Sequence, residues 1–394
     1  MTTQETIRLE DAFQIPTYSK MPVALERGEN CYVWDAEGER YLDFYGGHCV
    51  ALLGHCPPRV VEAVQEQAAQ LVFYSNAAYS PMRARASERL MHMAPDAMAQ
   101  AFFCNSGSEA NETALKLART STGKSGVVAL EGGFHGRTLG ALAATHAEKY
   151  RRPYADVLPE THFVPFADAG AVAEALETSD VGGVILEPIQ SIAGVREAPA
   201  DYLRDVRRLC DAHGAKLIFD EVQTGVGRTG TFSIGQQLGV TPDLITMAKS
   251  LGAGVPVSTV LVNEDIAATV GSGDQGSTFG GGMLAMAALD ATLETIEKEE
   301  LMERAGDLFA QIDDALSSHE AVRDVRGRGA LIGVQLHHPA GPVREALRDE
   351  GVLVGGANPS DVLRLMPPLT TPDRAVEAFA DAFERALDRV REVA

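Results

Sequence analysis

Short apolar runs alternate with longer amphipathic stretches between about residues 60 and 290. Brief apolar runs bounded by turn residues are typical of buried strands, and apolar positions three and four apart are typical of helices. Helices are predicted over Ala171–Glu177 and Tyr202–His213. The predicted strands are Ala101–Cys104, Val127–Leu130, Val181–Leu186, Lys216–Asp220, Leu244–Met247 and Val257–Val262. This alternation predicts an α/β fold in which a mostly parallel sheet is covered by helices on both faces.

The two ends of the chain depart from this pattern. Near the N-terminus, Cys31–Trp34 and Tyr41–Phe44 alternate around a turn, which predicts a hairpin in a peripheral arm. Near the C-terminus, a helix over Leu301–Ser317 precedes a strand over Ala330–Leu336. We expect a large domain and a small α+β domain that includes the N-terminal arm. The predicted division is arm 1–60, large domain 61–295 and C-terminal small domain 296–394.

Two ionisable side chains stand at the ends of predicted strands. Lys249 closes the run Asp243-Leu-Ile-Thr-Met-Ala-Lys249, and Asp220 closes Lys216-Leu-Ile-Phe-Asp220. A lysine in a desolvated pocket loses its proton more readily and becomes an amine nucleophile. A carboxylate is the partner that keeps a pyridine nitrogen protonated. The pair suggests pyridoxal phosphate as cofactor, with Lys249 as the catalytic residue.

A phosphate would also need a binding loop. Small hydroxyl-bearing residues, Asn105-Ser106-Gly107-Ser108, separate a predicted strand from the predicted helix Glu109–Arg119. Free N–H groups at a helix N-terminus bind anions, and the helix dipole favours them. Alone this pattern is weak evidence, because an ordinary N-cap uses the same residues.

Three further segments carry candidate binding groups. In Gly132-Gly-Phe134-His135-Gly-Arg137-Thr138, an aromatic ring could stack on a planar cofactor and an arginine could grip a carboxylate. Arg364 is flanked by apolar residues, which suits a partly buried arginine that receives an anion. A second glycine-rich loop, Gly276–Gly282, contains two hydroxyls.

Five motifs together resemble those of a known family. The order and spacing of these motifs resemble the subgroup III aminotransferases, which are pyridoxal-phosphate-dependent transferases of fold type I. Within that subgroup the chain is most similar to the N-acylornithine (acetyl- or succinylornithine) aminotransferases of arginine biosynthesis, over nearly its whole length. The motifs are Asn105-SGSEANETALKLAR, Gly133-FHGRT, Leu217-IFDEVQTGVGRTG, Ala248-KSLGAGVP and Ser277-TFGGG.

The resemblance implies a role for each candidate residue. Lys249 would be catalytic, and Thr278 would reach the phosphate of a neighbouring subunit, so a homodimer with a shared active site is expected. The implied cofactor-binding residues are Ser106, Gly107, Ser108, Phe134, Glu187, Asp220, Gln223 and Thr278. The implied substrate-binding residues are Arg137, Arg364, Tyr18 and His48.

The resemblance also implies a reaction. An N-acylornithine, most simply N-acetylornithine, would give its ω-amino group to 2-oxoglutarate, yielding N-acylglutamate 5-semialdehyde and glutamate. Alternative donors are succinylornithine, carrier-linked lysine, ornithine and GABA, and a decarboxylase or aminomutase on the same scaffold stays open. Two arginines suited to a dicarboxylate acceptor favour transamination. A non-catalytic binding protein is disfavoured because the lysine, aspartate and phosphate loop are all present.

One segment departs from the family pattern. Relatives that use ω-amino donors have a glutamate that pairs with the arginine at the Arg364 position, whereas this chain has Ile192 there, within Glu187-Pro-Ile-Gln-Ser-Ile192. We expect Arg364 to find another partner, because an unpaired arginine in an apolar pocket costs free energy. We also expect weaker rejection of small α-amino acids.

Composition limits the function classes. The 394-residue chain is 45% hydrophobic and carries a net charge of −21, without a basic stripe. These features argue against nucleic-acid binding and adhesion to anionic membranes. The acidity is compatible with a saline cytoplasm or with a codon bias towards arginine. The five cysteines without CxxC spacing and the lack of a signal peptide favour a cytoplasmic enzyme, and the histidine spacing predicts no metal site.

Overall fold

The structure, a computed structural model, describes residues 1–393. The strands are β1 Leu25–Glu29, β2 Tyr32–Asp35, β3 Arg40–Asp43, β4 Met98–Cys104, β5 Gly126–Leu130, β6 Thr161–Val164, β7 Val181–Leu186, β8 Ile189–Gln190, β9 Arg196–Glu197, β10 Lys216–Asp220, β11 Leu244–Met247, β12 Ser258–Asn263, β13 Val322–Arg328, β14 Leu331–Leu336, β15 Val352–Leu353, β16 Gly355–Gly356 and β17 Val362–Leu365.

The α-helices cover both faces of the sheets. They are α1 Thr3–Phe13, α2 Gly46–Cys49, α3 Pro58–Gln70, α4 Pro81–Met93, α5 Gly107–Thr122, α6 Leu139–Ala143, α7 Glu148–Arg151, α8 Ala169–Thr178, α9 Ala200–His213, α10 Ile234–Leu238, α11 Glu264–Ala267, α12 Met283–Lys298, α13 Leu301–Leu316, α14 Ala340–Asp349 and α15 Asp373–Val393. Short 3₁₀ helices cover Arg152–Tyr154 and Lys249–Gly252.

The central sheet has seven strands in the order β4-β12-β11-β10-β7-β5-β6. Neighbours from β11 to β6 pair in parallel, whereas β12 is antiparallel to both β11 and β4. Every residue of β5 and β7 is buried, as expected for parallel strands covered on both faces. The predicted α/β fold with a mostly parallel sheet is confirmed, and β12 is its one antiparallel strand among residues 1–393.

Local sequence explains where several elements begin and end. Ser106 caps α5 because its hydroxyl accepts a hydrogen bond from the Glu109 amide. Gly123 ends the same helix at a φ of 71°, a conformation that glycine adopts without steric cost. The edge strand β6 was not predicted, because three of its four residues are only half-buried and the apolar run is weak.

Besides the two-stranded pair β8-β9, two four-stranded sheets lie outside the central sheet. The order β1-β2-β3-β15 joins the N-terminal hairpin to the C-terminal part of the chain, and β13-β14-β17-β16 forms the other. β3 pairs in parallel with β15, and the rings of Phe44 and Phe379 lie 4.9 Å apart. These contacts support the proposal that the arm 1–60 and the segment 296–394 form one small domain beside the segment 61–295.

The last helix illustrates the amphipathic pattern of the chain. In α15, Ala375, Val376, Phe379 and Phe383 are buried, at the spacing that places residues on one helix face.

Within residues 1–393, no helix is long and apolar enough to cross a membrane.

Candidate active site

A cavity of about 450 Å³ opens at the carboxyl edge of the central sheet. The loops that line it follow β4, β5, β7, β10 and β11, and the ends of parallel strands meet at one edge. The structure therefore brings together nine residues that the sequence singled out. They are Ser106, Gly107, Ser108, Phe134, Arg137, Glu187, Asp220, Gln223 and Lys249.

Lys249 occupies the first turn after β11, in the short 3₁₀ helix. Its φ is 42°, a left-handed conformation that non-glycine residues seldom adopt, and such backbone strain is concentrated at functional sites. Burial lowers the pKa of the Lys249 amine, although the negative charges of Asp220 and Glu187 oppose the effect. The structure therefore favours a neutral amine at this position more than a surface lysine would allow.

Asp220 is held by a buried hydrogen-bond network. Its Oδ2 accepts from Asn111 Nδ2 at 2.7 Å and from His135 Nδ1 at 2.8 Å, and its Oδ1 accepts from the Val222 amide at 3.1 Å. Thr246 donates in turn to Asn111 Oδ1 at 2.7 Å. The carboxylate is 4% exposed, so these donors fix its orientation and stabilise its charge.

The network also affects the histidine. Burial alone would lower the pKa of His135, but the hydrogen bond to Asp220 and the charge of that carboxylate raise the pKa overall. A protonated His135 next to Asp220 would balance its negative charge in a site from which water is largely excluded.

Glu187 ties two of the cavity loops together. Its Oε1 accepts a hydrogen bond from the Phe134 amide at 2.8 Å. Burial raises the pKa of Glu187 to about 7, and the nearby charge of His135 opposes this rise. The loop that carries the Phe134 ring is thus anchored to the strand end of β7.

The N-terminus of α5 forms an anion cradle. Gly107 and Ser108 are its first two residues, where the amide N–H groups have no partner within the helix. A Cβ on Gly107 would lie 2.9 Å from the methyl groups of Val222, so only glycine fits without displacing that side chain. The Ser108 hydroxyl accepts hydrogen bonds from the amides of Arg137 and Thr138, both at 3.1 Å.

These groups match the chemistry of pyridoxal phosphate. An amine, a carboxylate, an aromatic face and a helix N-terminus correspond to the aldehyde, the ring nitrogen, the ring and the phosphate. Gln223 adds a polar group, since its buried Oε1 has no hydrogen-bond partner among the described residues. The residues present therefore fit this cofactor.

Arg364 lies outside this group of nine, on β17, and is 5% exposed. Its Nε donates to the Gly356 carbonyl at 2.6 Å and one terminal nitrogen donates to Ser191 Oγ at 3.1 Å. No carboxylate in residues 1–393 pairs with it, and burial lowers the pKa of the guanidinium. The partner expected in place of the missing glutamate at Ile192 is thus a pair of neutral oxygens.

Of the other candidate substrate residues, Arg137 lines the cavity and His48 lies close to Lys249. Arg137 is exposed, and its guanidinium stacks 3.3 Å from the centre of the Tyr150 ring. His48 is half-buried, and the Tyr45 hydroxyl hydrogen-bonds to its Nδ1. Burial, together with the positive charges of Lys249 and Arg364, lowers the pKa of His48 to about 4. The neutral imidazole is therefore the form next to Lys249 at neutral pH.

The remaining two candidates do not line the cavity. Tyr18 is 81% exposed, and no hydrogen bond joins it to another residue that the structure describes. Thr278 is exposed on a loop where Asn105 Nδ2 donates to Ser277 Oγ at 3.2 Å. Within one chain neither residue reaches the other site residues, so their substrate and cofactor roles stay predictions.

Sequence reasoning missed Asn111, His135 and Thr246, which complete the Asp220 network. His135 stood inside a motif already singled out, and Asn111 is a polar residue on the buried face of α5. A buried asparagine in a helix is a usable signal, because it requires a hydrogen-bonding partner. Thr246, in the middle of an apolar strand, offered no such signal.

Comparison with known proteins agrees with this geometry. Residues 14–387 match the family described as Aminotransferase class-III. The acetylornithine aminotransferase of Methanosarcina mazei is 42% identical over 380 residues, covering 96% of this chain and 95% of its own length.

Solved structures give the same picture. An ornithine aminotransferase of Toxoplasma gondii, described with partial occupancy of PLP at its active site, superposes with a TM-score of 0.93 at 29% identity, covering 99% of this chain and 95% of that one. The acetylornithine aminotransferase of Elizabethkingia anophelis superposes with a TM-score of 0.86 at 29% identity, covering 99% and 100%. The chain belongs to the class III aminotransferase family.

Proposed function

We propose that this enzyme transfers the ω-amino group of N-acetylornithine to 2-oxoglutarate, giving N-acetylglutamate 5-semialdehyde and glutamate. The observation that carries the proposal is a buried lysine amine of lowered pKa at the same strand edge as the Asp220 network, with Arg364 nearby and free of acidic partners. Relatives named acetylornithine aminotransferase, such as that of Methanosarcina mazei, support this choice of donor.

Class III aminotransferases depend on pyridoxal phosphate, and we propose that this chain holds it in the cavity at the sheet edge. Lys249 would bind its aldehyde carbon, Asp220 its ring nitrogen and Gln223 its phenolic oxygen. Phe134 would cover the ring, and the first amides of α5 would bind the phosphate. When bound, the cofactor supplies the carbon that receives the amino group and a ring that accepts electron density.

Lys249 would move the proton in both half-reactions. Its Nζ would act as the base that takes a proton from the substrate carbon. Burial lowers the pKa of this amine, which favours the neutral form that can accept the proton, and Lys249 would then return the proton on the cofactor side. Asp220 would hold a proton at the ring nitrogen, supported by Asn111 and His135.

The two arginines would orient the substrates. Arg364 would bind the α-carboxylate of glutamate and 2-oxoglutarate through its fork of donors. Arg137 would bind the distal carboxylate of glutamate or the carboxylate of N-acetylornithine, and its stacking on Tyr150 restricts its position without consuming its charge. His48, as the neutral imidazole, would contact the substrate from the Tyr45 side.

We also propose that the enzyme is a homodimer. Several large apolar side chains are exposed near the Thr278 loop, and the rings of Phe73 and Phe279 lie 5.0 Å apart. An exposed apolar patch of this kind marks an interface. The exposed residues are Leu71, Val72, Tyr74, Tyr79 and Phe279. Asn76 donates to the Gly280 carbonyl at 2.9 Å, which joins the two loops of the patch.

Sedimentation velocity tests the dimer. Tyr79→Asp in the apolar patch should shift the protein towards the monomer and reduce cofactor retention, because Thr278 would serve the partner's phosphate. Tyr154→Asp, an exposed tyrosine away from the patch, is the matched control. A wild-type monomer that retains the cofactor fully would contradict the proposal.

A panel of donors tests the reaction. Glutamate formation from 2-oxoglutarate would be measured with N-acetylornithine, N-succinylornithine, ornithine and GABA at equal concentrations. We expect the highest kcat/KM with N-acetylornithine. Ornithine is the second candidate, because the ornithine aminotransferase of Toxoplasma gondii shares the fold closely. A higher kcat/KM with ornithine than with either acylornithine would replace the proposed donor.

A further inference from the structure

A second cavity, of about 530 Å³, lies between the N-terminal arm and α14. Ser19–Pro22 form one side of it, and Arg344 and Arg348 on α14 form another. Arg364 and Tyr45 also line it, so it borders the proposed substrate site. The reaction proposed above assigns no role to Arg344 or Arg348.

Two guanidinium groups meet at one glycine in this cavity. Arg364 Nε donates to the Gly356 carbonyl at 2.6 Å. On the same residue, a Cβ placed on Gly356 would lie 2.7 Å from a terminal nitrogen of Arg344. Any larger side chain at position 356 would therefore displace the end of Arg344. The guanidinium groups of Arg344 and Arg364 thus both lie next to this glycine.

These two arginines differ from the other cations of the cavity. Arg348 donates to Asp349 at 2.9 Å, and Lys20 pairs with Glu10 at 2.7 Å. Neither Arg344 nor Arg364 lies within ion-pair distance of a carboxylate in residues 1–393, although Glu345 lines the same cavity. Two neighbouring like charges cost free energy, and an anion between them would offset that cost.

The influence of both cations extends to Tyr45. Burial raises the pKa of the Tyr45 hydroxyl, and the charges of Arg364 and Arg344, in that order, oppose the rise. The ring of Tyr45 also packs on Gly355, where a Cβ would come within 2.7 Å of it. The cavity thus has a packed aromatic wall and guanidinium donors from both Arg344 and Arg364 in its lining, an arrangement that suits a carboxylate.

The positive charge of these two arginines contrasts with the negative charge of the whole chain. The chain as a whole carries a net charge of −21, which repels a dianionic substrate. Here Arg344 and Arg364 place two positive charges, without carboxylate partners among the described residues, in one cavity of this acidic chain. Such a cavity attracts dicarboxylates in preference to uncharged or cationic amines.

We propose that the cavity binds a carboxylate between Arg344 and Arg364, and that Arg344 is a substrate-binding residue specific for the dicarboxylate acceptor. The inference rests on the proposed function, since it concerns the site that receives 2-oxoglutarate. Arg344 supplies the outer guanidinium and Arg364 the inner one. The donor N-acetylornithine, which reacts through its ω-amine, depends on Arg344 less.

Calorimetric titration of glutarate into the full-length protein with bound cofactor tests this directly. Glutarate is a dicarboxylate with neither an amino nor a keto group, so it binds without reacting. Arg344→Gln should raise the Kd for glutarate about three- to tenfold, the range expected for one exposed charge-assisted contact. Arg344→Lys should restore part of the loss, and higher ionic strength should narrow the difference.

Arg323→Gln is the matched control, because Arg323 is an exposed arginine on β13 and its loss changes the net charge equally. If Arg344→Gln binds glutarate as tightly as Arg323→Gln does, the proposal is wrong, even when Arg364→Gln abolishes binding. Failure of the wild type to bind glutarate also overturns it. The proposed function is judged separately, by the conversion of bound cofactor with N-acetylornithine alone, which needs no dicarboxylate.

Discussion

The cofactor side and the carboxylate side of the active site are built in opposite ways. On the cofactor side, Asp220 is buried and accepts three hydrogen bonds from Asn111, His135 and the Val222 amide. On the carboxylate side, Arg364 has only two neutral oxygens as partners, and the guanidinium of Arg137 contacts two aromatic rings. The carboxylate of Asp220 is thus hydrogen-bonded by the protein at both oxygens, whereas Arg364 and Arg137 keep positive charges that no carboxylate within residues 1–393 neutralises.

This difference reflects what each side has to do. A cofactor that stays bound through many turnovers is served by groups whose orientation is fixed by hydrogen bonds within the protein. Two substrates that enter in turn need cations that are not already neutralised by protein carboxylates. We therefore expect changes on the cofactor side to affect catalysis or folding, and changes on the carboxylate side to affect substrate preference.

The largest effect is expected for Lys249→Ala. Loss of the amine that moves the proton should lower kcat by roughly 10³-fold. The absorbance of the covalently attached cofactor should disappear at the same time. Lys116→Ala, on the exposed side of α5, is the control and should leave both unchanged. A Lys249→Ala enzyme with wild-type kcat would contradict the catalytic role assigned to Lys249.

The next effect concerns stability and pH. Glu221, in the loop after Asp220, accepts hydrogen bonds from the Ile234 amide at 2.9 Å and from Thr224 at 3.1 Å. Burial raises the pKa of Glu221 from 4.5 to about 7. A carboxyl with a raised folded-state pKa contributes stability below its unfolded pKa, and that contribution is lost as pH rises through 7.

Glu221→Gln keeps the side chain neutral at every pH. From pH 5 to pH 8 its free energy of unfolding should therefore gain on the wild type by about 3 kcal/mol, since one pKa unit corresponds to about 1.4 kcal/mol. Urea unfolding at several pH values measures this gain. The exposed Glu299→Gln should run parallel to the wild type. If the free energy of unfolding of Glu221→Gln changed with pH as that of the wild type does, the pKa of Glu221 would not be raised by folding.

On the carboxylate side, Arg364→Gln should act on one substrate. We expect kcat/KM for 2-oxoglutarate to fall about 30-fold, equivalent to about 2 kcal/mol for the loss of a buried charge-assisted contact. The half-reaction with N-acetylornithine should change much less. Separate stopped-flow measurements of the two half-reactions provide the comparison. Equal losses in both would mean that Arg364 supports the fold of the site rather than the acceptor.

The smallest effect is expected for Ile192→Glu. A glutamate next to Ser191 would give Arg364 the carboxylate partner that it lacks. The preference for N-acetylornithine over alanine should then rise several-fold, about 1 kcal/mol for a new partly buried ion pair. Ile192→Gln, of similar size without the charge, is the control. An unchanged preference would show that the missing glutamate does not set selectivity.

The two sides also differed in how far the sequence predicted them. Asp220, Lys249 and Glu187 each follow a strand, and the ends of parallel strands must converge, so their shared cavity was predictable. The network around Asp220 was not predicted, because Asn111, which donates to Asp220, and Thr246, which donates to Asn111, come from a helix face and a neighbouring strand that only the packed sheet aligns.

The carboxylate side depends on contacts distant in sequence. Arg364 was identified, but its bond to Gly356 depends on the pairing of β16 with β17, and its bond to Ser191 depends on the packing of the segment after β8 next to that sheet. Tyr18 was selected by resemblance, yet it is exposed within a single chain. No local pattern indicated that Arg344 would line the same cavity as Arg364. Such placements follow from tertiary packing, which periodicity does not encode.

The most direct test of the central claim is a single-turnover absorbance measurement on purified protein without acceptor. N-acetylornithine should rapidly remove the absorbance of the bound aldehyde form of the cofactor, and 2-oxoglutarate should restore it. This result would establish both half-reactions and the donor together. Stable absorbance in the presence of N-acetylornithine, with rapid loss on addition of ornithine or GABA, would contradict the proposed substrate.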